Sequence, residues 1–245
     1  MIPARWASTR FPGKPLADIH GKSMIRRVHE QSLQAMSLDK VYVATDDGRI
    51  ADEVKSFGGD FLMTSEDHLS GTDRLAEAAG YVDADIVVNI QGDQPFIEPE
   101  MIDEAVQPLL DDPTLPMATL KQKLTDPRDF DNPNVVKVVT NKDGNALYFS
   151  RSRIPYPRQD DPADIYEHIG LYVYRKDFLC LLAVLAPTKL EKIERLEQLR
   201  VIENGYKIRV IETEKCFSEL SGFSVDTPED LERITEIFKK QGLES

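Results

Sequence analysis

The sequence predicts an α/β protein built on a doubly wound, largely parallel sheet, with a β-rich layer inserted into it. Two observations carry this prediction. Apolar β-branched runs alternate with stretches whose apolar residues recur every three or four positions, which is the pattern of successive βαβ units. From about Pro116 the alternation gives way to a series of strands, and the chain then returns to helix, strand and helix.

Taken in order, the chain begins at Met1-Ile2 and a first strand runs into the IPAR segment, so either this start is late relative to the natural one or the strand is unusually short. Lys40 to Thr45 (KVYVAT) and Asp85 to Gln91 (DIVVNIQ) read as buried strands that end in polar residues. Ser23 to Met36, Arg49 to Phe57, Thr72 to Val82 and Glu100 to Leu110 read as helices. The β-rich part holds strands at Met117 to Leu124, Val135 to Thr140, Ala146 to Ser150 and His168 to Tyr174. A helix over Leu190 to Glu203 and a strand over Lys207 to Glu212 follow. The last helix has a clear start, since Thr227 can cap it, Pro228 suits its first position, and Glu229 and Asp230 complement its dipole. The 13 Gly and 15 Pro are dispersed, so nothing reads as a linker, and residues 1–245 are expected to form one domain with the β-rich insertion at about 116–175.

Bulk properties narrow the function. With 41% hydrophobic residues the chain can bury a full core, while runs such as Phe178 to Leu185 fall short of the roughly 20 residues a membrane-spanning helix needs. The expectation is a cytoplasmic protein without membrane insertion. Cys180 and Cys216 have no Cys or His at metal-ligand spacing, and Cys180, in an apolar run, reads as core. A formal charge of −13 argues against nucleic acid as a partner. Within residues 1–30, however, Arg5, Arg10, Lys14, Lys22, Arg26 and Arg27 outnumber Asp18 and Glu30, which points to a localised site for a small anion.

The opening IPARWASTRFPGKPL puts Arg5, Arg10 and Lys14 in a loop directly after the first strand, where backbone N–H groups and cations can wrap a triphosphate. Gly21-Lys22-Ser23 resembles the end of a P-loop, but that motif needs a glycine where this chain has Leu16. In open α/β sheets ligands bind at the carboxyl ends of the strands, so the segments after Thr45 and Gln91 are the other places to look for chemistry.

The whole set of motifs resembles the 3-deoxy-manno-octulosonate (Kdo) cytidylyltransferases, the CMP-Kdo synthetase family. The segments are IPARWASTRFPGKPL, YVATDD, HLSGTDRLAEA, VVNIQGDQPFI, NPNVVKVV, ALYFSRSRIPY, HIGLYVYR, LEQLRVIENG and VDTPEDLERI, in family order over nearly the full length. The resemblance implies a nucleotide-diphospho-sugar transferase-like fold and attack of the Kdo anomeric hydroxyl on the α-phosphorus of CTP. It implies that Arg5, Ser8, Arg10 and Lys14 hold the triphosphate, with Lys14 nearest the departing pyrophosphate. Ser70, Gly71 and Arg74 would border the nucleotide on the base side. Asp93 and Asp226 would hold Mg²⁺, and Lys14, Asp93 and Asp226 would be the catalytic set. Gln91, His168, Tyr172, Glu197 and Gln198 would contact the sugar acid, and the assembly would be a homodimer.

Plainer readings stand beside these. Asp226 suits a helix start on its own account, and Glu197 could be half of an i,i+3 pair with Arg200. His168 and Tyr172 fall on one face of a strand, which fits a shared pocket wall. Gln94 stands where the family often has Glu. An enzyme for 8-amino-Kdo is the nearest alternative in function, and a nucleotide-binding regulatory protein without turnover is a more distant one.

Overall fold

The computed structural model describes residues 1–7, 11–68, 70–158, 164–214, 225 and 227–241. The chain divides into two compact units, Met1–Asp103 with Lys215–Ser245, and Glu104–Glu214.

The first unit opens with β1 (Ile2–Ala4), a 3₁₀ turn at Lys14–Leu16 and a small hairpin of β2 (Asp18–Ile19) and β3 (Lys22–Ser23). It continues through α1 (Met24–Ser32), β4 (Tyr42–Thr45), α2 (Gly48–Ser56), β5 (Asp60–Met63), α3 (Gly71–Gly80) and β6 (Ile86–Asn89). Strands β1, β4 and β5 are parallel neighbours, with Ile2 opposite Val43 and Tyr42 opposite Asp60. On the other flank of β1, the Met1 nitrogen donates to Val88 O at 2.7 Å and Ile90 N donates to Met1 O at 3.0 Å, so β6 runs parallel to the start of β1. The order β5-β4-β1-β6 means that the winding reverses at β1, and the carboxyl end of β1 is the switch point at which such sheets bind ligands.

Three N-caps set the helix starts: Ser23, Asp47 and Ser70 each accept a backbone N–H with the side chain. Strand β5 has no counterpart among the sequence expectations. It is a half-exposed edge strand of four residues whose apolar signal is too short to register. The Gly21-Lys22-Ser23 segment is the β2–β3 turn, with Gly21 at φ 77° and Lys22 paired with Glu30 at 2.8 Å, so it is not a phosphate loop.

The unit boundary falls within α4 (Pro99–Asp111). The second unit holds β7 (Met117–Lys123), α5 (Pro127–Phe130), β8 (Lys137–Thr140), β9 (Ala146–Ser150) and β10 (Tyr166–Arg175). It ends with α6 (Lys176–Val184), α7 (Lys189–Glu194), α8 (Gln198–Glu203) and β11 (Arg209–Glu212). The strand order is β11-β7-β10-β8-β9, antiparallel except for β11 beside β7. The two ends of this row meet: Ala146 N donates to Ile208 O, Val210 N donates to Gly144 O, and Asn145 bridges Arg209. The change of pattern read near Pro116 coincides with β7. Finally α9 (Pro228–Gln241) returns to the first unit.

Two expectations are corrected here. The single helix over Leu190 to Glu203 is two helices, broken where Arg195 adopts φ 54°, and no Gly or Pro announces the break. Cys180 is exposed, because on α6 the buried side is Phe178, Leu179 and Leu182, so an apolar run with helical period hides only one of its faces.

Gly92 packs against β1, and a Cβ there would lie 2.9 Å from Pro3 O. Gly92→Ala should therefore destabilise the protein by about 1–3 kcal/mol in urea unfolding, since backbone must move to admit the methyl group. Gly80→Ala, at a helix end with open space around it, should be neutral or slightly stabilising in the same measurement.

Candidate active site

The carboxyl end of β1 is crowded by design of the sequence. Pro3 lies between two glycine-bearing motifs: its backbone oxygen faces Gly92 of QGDQP, and its ring is 3.4 Å from where a Gly71 Cβ would stand. Two motifs distant in sequence thus approach the same strand end, and the glycines permit the approach. The chain leaves β1 at Arg5 and is gathered in again where Gly13 N donates to Trp6 O at 3.1 Å. Ser8 and Arg10 lie outside the described residues.

Immediately after that neck, Lys14 Nζ donates to Asp93 Oδ2 at 2.8 Å and to Val225 O at 2.9 Å. Val225 N in turn donates to Asp93 O at 2.9 Å. The anion-loop motif, the QGDQP turn and the segment that opens α9 are therefore tied together through one ammonium group. An apolar cluster lies with them: Ile19, Met24, Val225 and Ile234 are fully buried, and Phe11, Ala17, Phe96 and Leu231 pack on them. Thr227 caps α9, accepting from Asp230 N at 3.2 Å while Asp230 Oδ2 accepts from Thr227 N at 2.9 Å. Asp226 lies outside the described residues. Among the described residues no group of three or more His, Cys, Asp or Glu side chains could hold a metal ion.

The other cations divide by role. Arg5 is exposed. Lys22 and Arg26 both pair with Glu30, and Arg27 donates to Ile19 O and His20 O. Half of the basic segment thus braces the β2–β3 hairpin and α1. Arg74 is 2% exposed, and its guanidinium donates to Asp46 Oδ2 at 2.6 Å, to Thr64 Oγ1 and to Ser65 O. It holds the ends of β4 and β5 together, whereas Ser70 and Gly71 stand at the start of α3, Ser70 as its cap.

Glu77, unmarked in the sequence reading, takes the Ser65 N–H at 2.9 Å, His68 Nε2 and the Tyr81 hydroxyl, and these donors hold its carboxyl down at about 2. Arg74 and Glu77, one turn apart on α3, thereby grip both backbone polar groups of Ser65 and fix the segment that leads into Ser70.

In the second unit, four of the expected sugar-acid residues form one constellation. The His168 and Tyr172 rings are 5.4 Å apart, and the Tyr172 hydroxyl points to Gln198 Oε1 at 3.4 Å. Strand β10 bulges between Ile169 and Tyr172, and Thr119 of β7 fills the irregularity, its hydroxyl meeting Ile169 O and Leu171 O at 3.1 and 2.8 Å. That hydroxyl has one proton to give, so it accepts from His168 Nε2–H at 2.9 Å and leaves Nδ1 as an acceptor. Burial pushes the His168 imidazole down to about 3, so the ring is neutral. Burial, and then the charge of Glu197, push the Tyr172 phenol up, so it keeps its proton. Glu197 sits at the N-terminal end of α8, aimed by the break at Arg195. Arg200 is engaged chiefly by Glu191, through a fork at 2.9 and 2.5 Å, and Glu197 is 3.9 Å away. In the first unit, Gln91 is half-buried beside Asn89.

A parallel sheet with a lysine–carboxylate pair at its switch point is suited to an anionic, phosphorylated ligand, and the family match makes the class a nucleotidyltransferase of α/β fold. The Cytidylyltransferase family profile matches residues 1–208. The 3-deoxy-manno-octulosonate cytidylyltransferase of Syntrophotalea carbinolica is 55% identical over 243 residues, covering 96% of this chain and 95% of that protein. Its namesake in Geobacter sulfurreducens is 53% identical over 250 residues, with 98% of each covered. A solved CMP:2-keto-3-deoxy-manno-octonic acid synthetase complexed with CTP superposes with a TM-score of 0.92 at 45% identity, covering 98% of this chain and 97% of that one. The chain belongs to the 3-deoxy-manno-octulosonate cytidylyltransferase family.

Neighbouring residues on β10 titrate in opposite senses. The unfolded chain takes up a proton at His168 below about pH 6.5 that the folded protein refuses down to about 3, so stability falls as pH drops through that window. Burial, and then Asp129, raise the Glu167 carboxyl to about 7, so folding keeps a proton that the unfolded chain releases above pH 4.5, and stability falls as pH rises between those values. His168→Gln should therefore raise the urea midpoint more at about pH 4 than at about pH 8, and Glu167→Gln the reverse. Equal shifts at both pH values would refute this assignment.

Proposed function

We propose that this chain transfers CMP from CTP to the anomeric hydroxyl of Kdo, giving CMP-Kdo and pyrophosphate for lipopolysaccharide biosynthesis. The observation that carries the reading is the Lys14–Asp93–Val225 junction at the switch point, formed by three of the motifs shared with the Kdo cytidylyltransferases. In the reaction the anomeric oxygen bonds to the α-phosphorus, the bond to the pyrophosphate oxygen breaks, and the hydroxyl proton leaves to solvent. Two anions must meet, so the protein's task is to orient them and balance charge.

Lys14 is set to neutralise the departing pyrophosphate, with Arg5, Ser8 and Arg10 along the triphosphate. Ser70 and Gly71 border the base. Arg74, committed to Asp46, Thr64 and Ser65, serves the base side by fixing that segment. His168, Tyr172, Glu197 and Gln198 of the second unit present a mixed set of donors and acceptors suited to a polyhydroxylated acid, and the neutral His168 and protonated Tyr172 add no charge to repel it; the family resemblance adds Gln91 as a further proposed contact.

Mg²⁺ fits this chemistry. Asp93 is a hard oxygen donor with one carboxylate oxygen on Lys14 and the other without a partner among the described residues, and Mg²⁺ commonly takes one or two protein carboxylates alongside phosphate and water. Asp93 and Asp226 would hold it, and it would supply charge stabilisation at the phosphates.

Two anionic, water-soluble substrates suit a cytoplasmic enzyme, and among the described residues no helix is long and apolar enough to cross a membrane. We assign a homodimer, supported by exposed apolar side chains in the second unit such as Leu147 and Ile193, at 56% and 66%. Light scattering on the eluting protein checks the dimer. The relatives' names favour Kdo over 8-amino-Kdo, and competing the two sugars in one assay decides between them.

Pyrophosphate release should require both CTP and Kdo, with UTP a markedly poorer donor, because a pocket that pairs with the cytosine amine leaves buried groups unpaired against a carbonyl. Equal kcat/KM for the two triphosphates would remove the cytidylyl assignment. Asp93→Asn and Asp226→Asn should each abolish most turnover, chiefly in kcat, with the fold intact. A near-normal rate for Asp226→Asn would remove that residue from the proposed metal site and leave Asp93 as the proposed protein ligand.

A further inference from the structure

The single tryptophan of the chain, Trp6, occupies the neck of the anion loop. The guanidinium carbon of Arg49 lies 3.4 Å from its ring centroid, a stacked contact. Arg49 is held in that plane by Asp47, which takes Nε at 2.9 Å and Nη2 at 2.6 Å. Asp47 is itself fixed, since its carboxylate accepts from Arg49 N at 2.9 Å and its N–H donates to Thr45 Oγ1 at 3.2 Å. Gly13 packs against the six-membered ring of Trp6, where a Cβ would stand 2.9 Å from Cη2. With φ at 72° as well, position 13 admits only glycine without strain. The next residue is Lys14.

These contacts form one continuous path from the start of α2 to the ammonium group: Asp47, Arg49, Trp6, Gly13, Lys14. The lysine has a long stem, so the place of its head on Asp93 depends on where the Lys14–Leu16 turn begins, and that point is set by the ring against Gly13. We infer that Arg49 is a positioning residue for Lys14, acting through Trp6. The inference rests on the reading of Lys14 as the group that meets the pyrophosphate. Arg49 is suited to the role because its planar fork can bind Asp47 and stack on indole at the same time, which a lysine cannot do.

The test is a set of variants assayed for pyrophosphate release with CTP and Kdo, with the melting temperature measured alongside. Arg49→Met should lower kcat by about two- to fivefold, the worth of an exposed cation–π contact, with KM for Kdo unchanged. Arg49→Lys should recover little of this, Trp6→Phe most of the wild-type rate, and Trp6→Leu should reproduce the loss. In the Trp6→Leu and Lys14→Met backgrounds, adding Arg49→Met should cost nothing further, because the path is already broken. Full additivity in both backgrounds, or a melting temperature that falls with kcat unchanged, would overturn the inference and leave Arg49 as surface stabilisation. Trp6 emission on CTP titration separates this from a failure of the sugar assignment. If CTP quenches Trp6 but no pyrophosphate forms with Kdo, the acceptor is wrong. The role of Arg49 is then decided by whether Arg49→Met weakens CTP binding by the same factor.

Discussion

The candidate site in the first unit is organised around one half-buried cation with two anchors among the described residues. Lys14 joins Asp93, 79 residues on, to Val225, 211 residues on, and neither partner is near it in sequence. A half-buried ammonium costs desolvation, and here a carboxylate and a carbonyl oxygen offset that cost. The same two contacts position the QGDQP turn and the start of α9. In the role proposed for Lys14, a bound triphosphate would be a further claimant on the ammonium. The resting arrangement is therefore a charge-balanced site that holds its shape before the ligand arrives, and such preorganisation is what charge stabilisation in a transition state requires.

The second unit solves a different problem. The sugar acid proposed for it would need many directional contacts and little extra charge, and this unit holds a neutral imidazole, a phenol that keeps its proton, and an amide. Thr119 is the hinge of this arrangement. By spending its proton on carbonyls freed by the β10 bulge, it fixes the tautomer of His168 and leaves Nδ1 to accept. The bulge, which as a local irregularity could be taken for a defect, keeps His168 and Tyr172 on the same side with their rings adjacent.

Periodicity made most of the fold legible, because buried strands and one-sided helices impose short repeats on the residues themselves. It failed where the signal is local or absent, at the four-residue edge strand β5 and at Arg195, whose left-handed backbone no neighbouring glycine advertises. Motif order pointed to the candidate residues but not to their division of labour. Arg74 and Lys14 are both cations in shared motifs, yet one is sealed into an ion pair with Asp46 and the other faces Asp93. That distinction depends on which carboxylate the fold brings near, a long-range fact that composition cannot carry. Trp6, Arg49, Thr119 and Glu77 escaped notice for the same reason, since each matters through a partner remote in sequence or one turn of helix away.

The return of α9 to the first unit has a consequence for how the protein is made. A ribosome delivers Lys14 211 residues before Val225, so Lys14 lacks its carbonyl anchor, and Ile19 and Met24 lack the cover of Ile234, until that later segment has emerged. A nascent chain stalled or cut before that point would carry the charged loop beside an open apolar surface, the kind of feature that chaperones and proteases engage. The carbonyl anchor of Lys14 and the cover of the apolar cluster thus arrive close together, with Val225 and the helix that follows it.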